Sequence, residues 1–157
     1  MINIGVIGCG YWGPNLVRNF SVLKECRVKT LCDTDSNRLG TVSSLYPQVE
    51  LTTDYSRLIA DTDIDAVVIA TPVRFHFEMA LQSLLAGKHV FVEKPMVSNV
   101  HEGKILLETA AKHNLTLMVG HTFIYSPAVR KMKQIIDSGE LGEIQYLSAR
   151  RLNLGLF

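Results

Sequence analysis

Asn3-Ile4-Gly5-Val6-Ile7-Gly8-Cys9-Gly10-Tyr11-Trp12-Gly13-Pro14 is the stretch whose reading decides the fold. Its first residues form an apolar run that ends at Gly8, and its last residue, Pro14, suits the first turn of a helix. Between the two lies a G-x-G-x-x-G turn, each glycine of which has its own physical task. Gly8 permits the sharp strand-to-helix turn, Gly10 lets the backbone approach a pyrophosphate, and Gly13 lets the helix pack closely on the strand. The N–H groups at the helix start, some of them from Tyr11 and Trp12, would hold phosphate oxygens with the help of the helix dipole.

Working outward, a second apolar segment, residues 27–32, ends at Asp33, twenty residues beyond Gly13. An acidic residue at that distance completes the dinucleotide-binding fingerprint. Its carboxylate can accept hydrogen bonds from adenosine ribose hydroxyls and would repel a 2′-phosphate, so NAD is expected over NADP. Arg38 is near enough in sequence to reach a phosphate, but reads as a solvated helix residue. Further strands are expected at 66–70, 89–93 and 116–120, with a short edge strand near 49–51. Val67-Val68-Ile69-Ala70 and Val90-Phe91-Val92 are continuously apolar, as in strands covered on both faces. Helices are expected from Pro14 onward, over 74–86 with Gly87 as its C-terminal stop, over 100–113 behind an Asn99/Glu102 capping box, and over 127–137. The alternation predicts a doubly wound α/β fold with a parallel sheet. Residues 1–121 read as this dinucleotide-binding domain. Residues 122–157 read as a linker helix and a first strand, 144–152, of a second α/β domain that the chain begins but does not complete.

Two more segments fall at the carboxyl ends of strands. Ala70-Thr71-Pro72 puts a hydroxyl at the ligand edge, and Pro72 stops the strand. His76 follows early in the next helix, either near the cofactor or as a helix-start histidine with no partner. Glu93-Lys94-Pro95 emerges directly from Val90-Phe91-Val92. Pro95 restricts the backbone of Lys94. A lysine so placed can hydrogen-bond a substrate hydroxyl and stabilise the alkoxide that forms as hydride leaves.

The bulk composition excludes several function classes. The 157 residues are 47% hydrophobic and carry a net charge of +1, which gives no electrostatic basis for capturing nucleic acid or an anionic membrane. Arg130, Lys131 and Lys133, and then Arg150 and Arg151, read as solvated faces. Three cysteines, Cys9, Cys26 and Cys32, without a C-x-x-C pair, point to a reducing compartment and to no disulfide framework or metal site. Cys9 reads as a small side chain filling a tight turn. No secretory leader precedes the first strand and no run is long enough to span a membrane, so a cytoplasmic location is expected.

Together, the glycine turn, Asp33, Ala70-Thr71-Pro72 with His76, Glu93-Lys94-Pro95 and Val119-Gly120-His121 resemble the glucose–fructose oxidoreductase and inositol dehydrogenase (Gfo/Idh/MocA) family over essentially the whole chain. Within it, the chain looks most like sugar-nucleotide 3-dehydrogenases, which oxidise a UDP-linked N-acetylhexosamine or its uronate. The resemblance implies a Rossmann domain followed by an open-sheet domain that binds substrate and forms a homo-oligomer. It implies that Lys94 is the active-site lysine and that Glu93 and Thr71 line the nicotinamide side. By the same resemblance His76 lies near the cofactor, and Tyr11, Trp12 and Asp33 contact pyrophosphate and ribose. The family's general base, a histidine helped by an aspartate in the second domain, has no counterpart after His121, so the chain is expected to stop before it. A non-enzymatic NAD(H)-binding regulatory module and a reductase of the imine or biliverdin type are the competing readings.

Overall fold

The computed structural model describes residues 1–150 and Leu152. The chain divides into two compact units, Met1–Gly120 and His121–Phe157. In the first, six strands form one sheet: β1 (Ile2–Ile7), β2 (Cys26–Cys32), β3 (Glu50–Thr52), β4 (Ala66–Ile69), β5 (His89–Val92) and β6 (Leu117–Val119). All pairings are parallel and the spatial order is β3-β2-β1-β4-β5-β6. The order reverses between β1 and β4, and at such a switch point the loops of neighbouring strands diverge and leave a crevice at the carboxyl edge.

Five helices cover the sheet: α1 (Gly13–Ser21), α2 (Ser36–Ser43), α3 (Tyr55–Ala60), α4 (His76–Leu85) and α5 (Val100–Lys112). Successive side chains of a strand point to opposite faces, and the core accordingly divides in two. Val67 and Ile69 of β4, with Val90 and Val92 of β5, pack with Leu58, Ala80, Leu84 and Leu106 from α3, α4 and α5. Val68 of β4 and Val6 of β1 face the other way, among Val17, Leu39 and Val42 from α1 and α2. Phe91 joins this second layer, edge-on to Phe20 at 6.2 Å between ring centroids. Both layers are dry, which is why the central strands read as unbroken apolar runs.

The helix signals behave as expected. Asn99 accepts from the Glu102 N–H at 3.0 Å, and the Glu102 carboxylate reaches back one residue further, to the Ser98 N–H at 3.3 Å. Gly87, with φ 78°, follows the last turn of α4. Helices α2 and α3 are not among the expected helices, and their starts are marked by Asp35 and Asp54. These carboxylates accept from Asn37 and Ser56 N–H groups respectively at 2.9 Å. At the amino edge of the sheet the buried Lys88 ammonium donates to the Asp61 and Ile64 carbonyls at 2.7 and 2.6 Å. It is a structural cation, remote in the topology from the ligand edge.

The second unit contains a 3-10 turn, Thr122–Tyr125, and α6 (Pro127–Asp137). Arg130 lies over the Tyr125 ring at 5.4 Å, and Arg130, Lys131 and Lys133 are exposed. The strand expected over 144–152 is not found in its described part: residues 144–150 and Leu152 have no strand pairing. A strand exists through its ladder, and no described strand of this unit offers one. Residues 151 and 153–157, including Arg151 of the basic pair, lie outside the described residues. Among those described, no helix is long and apolar enough to cross a membrane.

Candidate functional site

An open cleft of about 860 Å³ lies at the carboxyl edge of the first unit, centred on the β1/β4 switch point. Gly8, Gly10, Tyr11, Trp12, Asp33, Thr71, Pro72, Glu93 and Lys94 all line it, so the sheet brings together residues up to 86 positions apart in sequence. That volume is within the range of small-molecule and cofactor pockets.

The glycine turn is built sterically. Gly8 has φ 100°, and a Cβ there would lie 2.7 Å from the Ala70 carbonyl oxygen. A Cβ on Gly13 would lie 1.9 Å from the Gly8 carbonyl oxygen, so α1 can start this close to β1 only without a side chain. Gly10 differs: the nearest atom to its missing Cβ is Nη1 of Arg38 at 3.8 Å. The protein leaves that space free, as a cradle for a pyrophosphate requires. No side chain caps the N-terminus of α1, and among the described residues no protein acceptor is recorded for the N–H groups of Gly10, Tyr11 and Trp12. These features fit a dinucleotide phosphate. Tyr11 and Trp12 stand edge to face at 5.6 Å and are exposed.

Asp33 is buried and braces the turn as well as facing the cleft. One carboxylate oxygen accepts from the Cys9 N–H at 2.7 Å and the other from the Asp35 N–H at 2.9 Å. A carboxylate has about four acceptor positions, so half its capacity remains for ribose hydroxyls. Arg38, expected to be a solvated helix residue, is indeed exposed but also lines the cleft, with its Nε 3.5 Å from Asp35 Oδ2. Cys9 and Cys32 are buried beside Asp33. Burial first, and then the Asp33 charge, push the two thiols up to about 12 and about 11 respectively. Both are therefore thiols at neutral pH and poor nucleophiles, in keeping with a packing role for Cys9.

On the opposite wall, Thr71 lines the cleft, but its hydroxyl points to Met79 Sδ at 3.7 Å. Glu93 is buried; its carboxylate lies against Gly120, where a Cβ would approach Oε2 to 3.0 Å. The Lys94 N–H donates to the same oxygen at 3.3 Å. Lys94 is exposed, the Lys94–Pro95 peptide is cis, and no described carboxylate pairs with the Lys94 ammonium. His76 departs from the expectation of a helix-start histidine with no partner. It is 1% exposed, does not line the cleft, and has a carbonyl partner at each ring nitrogen.

Thr53, Tyr55, Arg74, Phe75 and Glu78 also line the cleft and were not legible in the sequence. Arg74 lies over the Phe75 ring at 4.7 Å, and the Tyr55 hydroxyl donates to Glu78 at 3.4 Å. Burial and the Glu78 charge push the Tyr55 phenol up. The one available signal was position: these residues follow β3 and β4, whose carboxyl ends face the crevice. No group of three or more His, Cys, Asp or Glu side chains among the described residues could hold a metal ion.

A six-stranded parallel sheet in this order, with a glycine turn opening α1 and an acidic residue ending β2, defines a Rossmann dinucleotide-binding domain. A sequence model of an oxidoreductase family with an NAD-binding Rossmann fold, GFO_IDH_MocA, matches residues 2–121, and the chain belongs to this family. Similar curated proteins include the oxidoreductase YrbE of Bacillus subtilis (strain 168), 33% identical over 138 residues, 88% of this chain and 40% of that protein. Inositol 2-dehydrogenase 2 of Saccharopolyspora erythraea is 31% identical over 156 residues, 98% of this chain and 46% of that protein. Scyllo-inositol dehydrogenase from Lactobacillus casei, solved with NAD(H) and scyllo-inositol, superposes with a TM-score of 0.84 at 28% identity, covering 91% of this chain and 43% of that one. A 3-ketoreductase from Actinomadura kijaniata, solved with NADP and TDP-benzene, gives 0.80 at 27% identity, covering 88% and 42%. The chain thus spans less than half the length of each of these relatives.

Proposed function

We infer that the chain is the cofactor-binding part of an NAD-dependent dehydrogenase acting on a hydroxyl of a sugar, polyol or sugar nucleotide. The observation that carries this reading is that Lys94 stands, unpaired among the described residues, on the wall of the same cleft as the Gly10 cradle and Asp33. The Gly10–Gly13 backbone would hold the pyrophosphate, and Asp33 the adenosine ribose. A nicotinamide bound there supplies the hydride acceptor. The chain's own contribution to the chemistry is Lys94, whose ammonium hydrogen-bonds the substrate oxygen and stabilises negative charge developing on it. Glu93, pressed on Gly120, fixes the start of the Lys94 loop. The inositol dehydrogenases among the relatives support a polyhydroxylated substrate. The sugar-nucleotide subclass rests on sequence resemblance, with the TDP-ligand complex of the ketoreductase as its structural support. By the same resemblance the base that accepts the hydroxyl proton, the oligomer contacts and a homo-oligomeric state belong to a second domain.

The NAD preference rests on one charge. Asp33→Asn removes the negative charge while keeping one oxygen acceptor. In parallel titrations, the preference of the chain for NADH over NADPH should fall by about tenfold or more, since hydrogen bonds to charged groups contribute roughly 1.5–3 kcal/mol. An unchanged preference would remove Asp33 from ribose recognition and leave it only its bracing of Cys9 and Asp35.

A further inference from the structure

His76 opens α4 but faces neither the cleft nor solvent. Its ring lies between the two loops that form the Lys94 side of the site. Nε2 is 2.7 Å from the Thr71 carbonyl oxygen, at the end of β4, and Nδ1 is 2.9 Å from the Pro95 carbonyl oxygen, after β5. Thr71 and Pro95 are 24 residues apart, and each flanks residues that line the cleft: Pro72 on one side, Glu93 and Lys94 on the other. Both partners are acceptors, so each bond requires an N–H on the ring nitrogen that faces it. A buried ring at these distances from two loop carbonyls is an ordering device, because a buried polar group is costly to leave unpaired and so fixes the groups that satisfy it.

We propose that His76 is a positioning residue that staples the Thr71–Pro72 loop to the Lys94–Pro95 loop and thereby fixes the direction in which Lys94 enters the cleft. The significance of that direction rests on the function proposed above; the staple does not. Side-chain amides allow each bond to be tested separately. The asparagine amide nitrogen reaches about the place of Nδ1, and the glutamine amide nitrogen about that of Nε2. His76→Asn therefore keeps the Pro95 bond and loses the Thr71 bond, His76→Gln does the reverse, and His76→Phe loses both.

Amide hydrogen exchange on the whole chain reads the result, with Phe75 reporting the Thr71 loop and Lys94 and Met96 reporting the Pro95 loop. Loss of a bond should speed exchange about tenfold in the loop it held. His76→Asn should affect Phe75 alone and His76→Gln Lys94 and Met96 alone, while protection of β4, β5 and the C-terminal half of α4 stays unchanged. If both amide variants leave both loops as protected as in wild type, or raise exchange equally in the loops and the core strands, His76 is a core residue and the staple is wrong. His76→Phe extends the test where it folds, and the amide pair decides where it does not. NADH titration of the wild-type chain separately tests the functional reading, so the two failures are distinguishable.

Discussion

Gly13→Ala should weaken dinucleotide binding about a hundredfold while leaving most of the sheet intact. The added Cβ would lie 1.9 Å from the Gly8 carbonyl oxygen, a distance no side-chain rotation relieves because both atoms belong to fixed backbone. The N-terminus of α1 must therefore move away from the end of β1. Overpacking of this kind costs roughly 1–3 kcal/mol and sometimes more. The same movement takes the Tyr11 and Trp12 N–H groups out of the Gly10 cradle, so a loss of about 3 kcal/mol, roughly a hundredfold in Kd, is expected in NADH binding. Far-UV circular dichroism and a melting curve distinguish local from global effects. The wild-type spectrum with binding weakened a hundredfold is the expected outcome. Wild-type affinity would mean that the turn does not hold the phosphates.

Lys94→Ala should have the opposite profile. No described residue depends on its ammonium, and its side chain is exposed, so fold and cofactor affinity should stay within about threefold of wild type. Turnover of the intact protein with a polyol or sugar substrate should fall by about 10²–10³-fold, the typical loss when one preorganised donor to a developing oxyanion is removed. Steady-state kcat together with NADH Kd checks both parts. An unchanged kcat would exclude Lys94 from the reaction, whereas an equal fall in kcat and NADH affinity would make it a cofactor ligand.

Much of this site could be read from residue types because its chemistry is carried by backbone geometry. Glycines at 8, 10 and 13 are demanded by a sharp turn, an open cradle and a close helix contact, and each of these needs has a sequence signature. The central strands were legible because both their faces are dry. Residues whose roles depend on a partner far along the chain were not legible. Nothing local shows that Asp33 spends half its acceptor capacity on Cys9 and Asp35, or that the Thr71 hydroxyl turns to Met79. His76 is the extreme case: its position four residues after Pro72 suggests the cofactor, but its partners are two loop carbonyls supplied by different strands. The run over 144–152 is a related case: strand propensity forms no ladder without a neighbour to pair with, and the described residues of its unit supply none.

The central claim, that the cleft at the β1/β4 switch point holds a nicotinamide dinucleotide, is tested most directly by NADH titration of the chain, monitored through Trp12. This is the only tryptophan of the sequence, and it lies on the wall of that cleft. Saturable quenching of Trp12 with sensitised NADH emission, and a weaker response to NADPH, is the predicted result. A folded chain whose Trp12 emission is unchanged by NADH would contradict it.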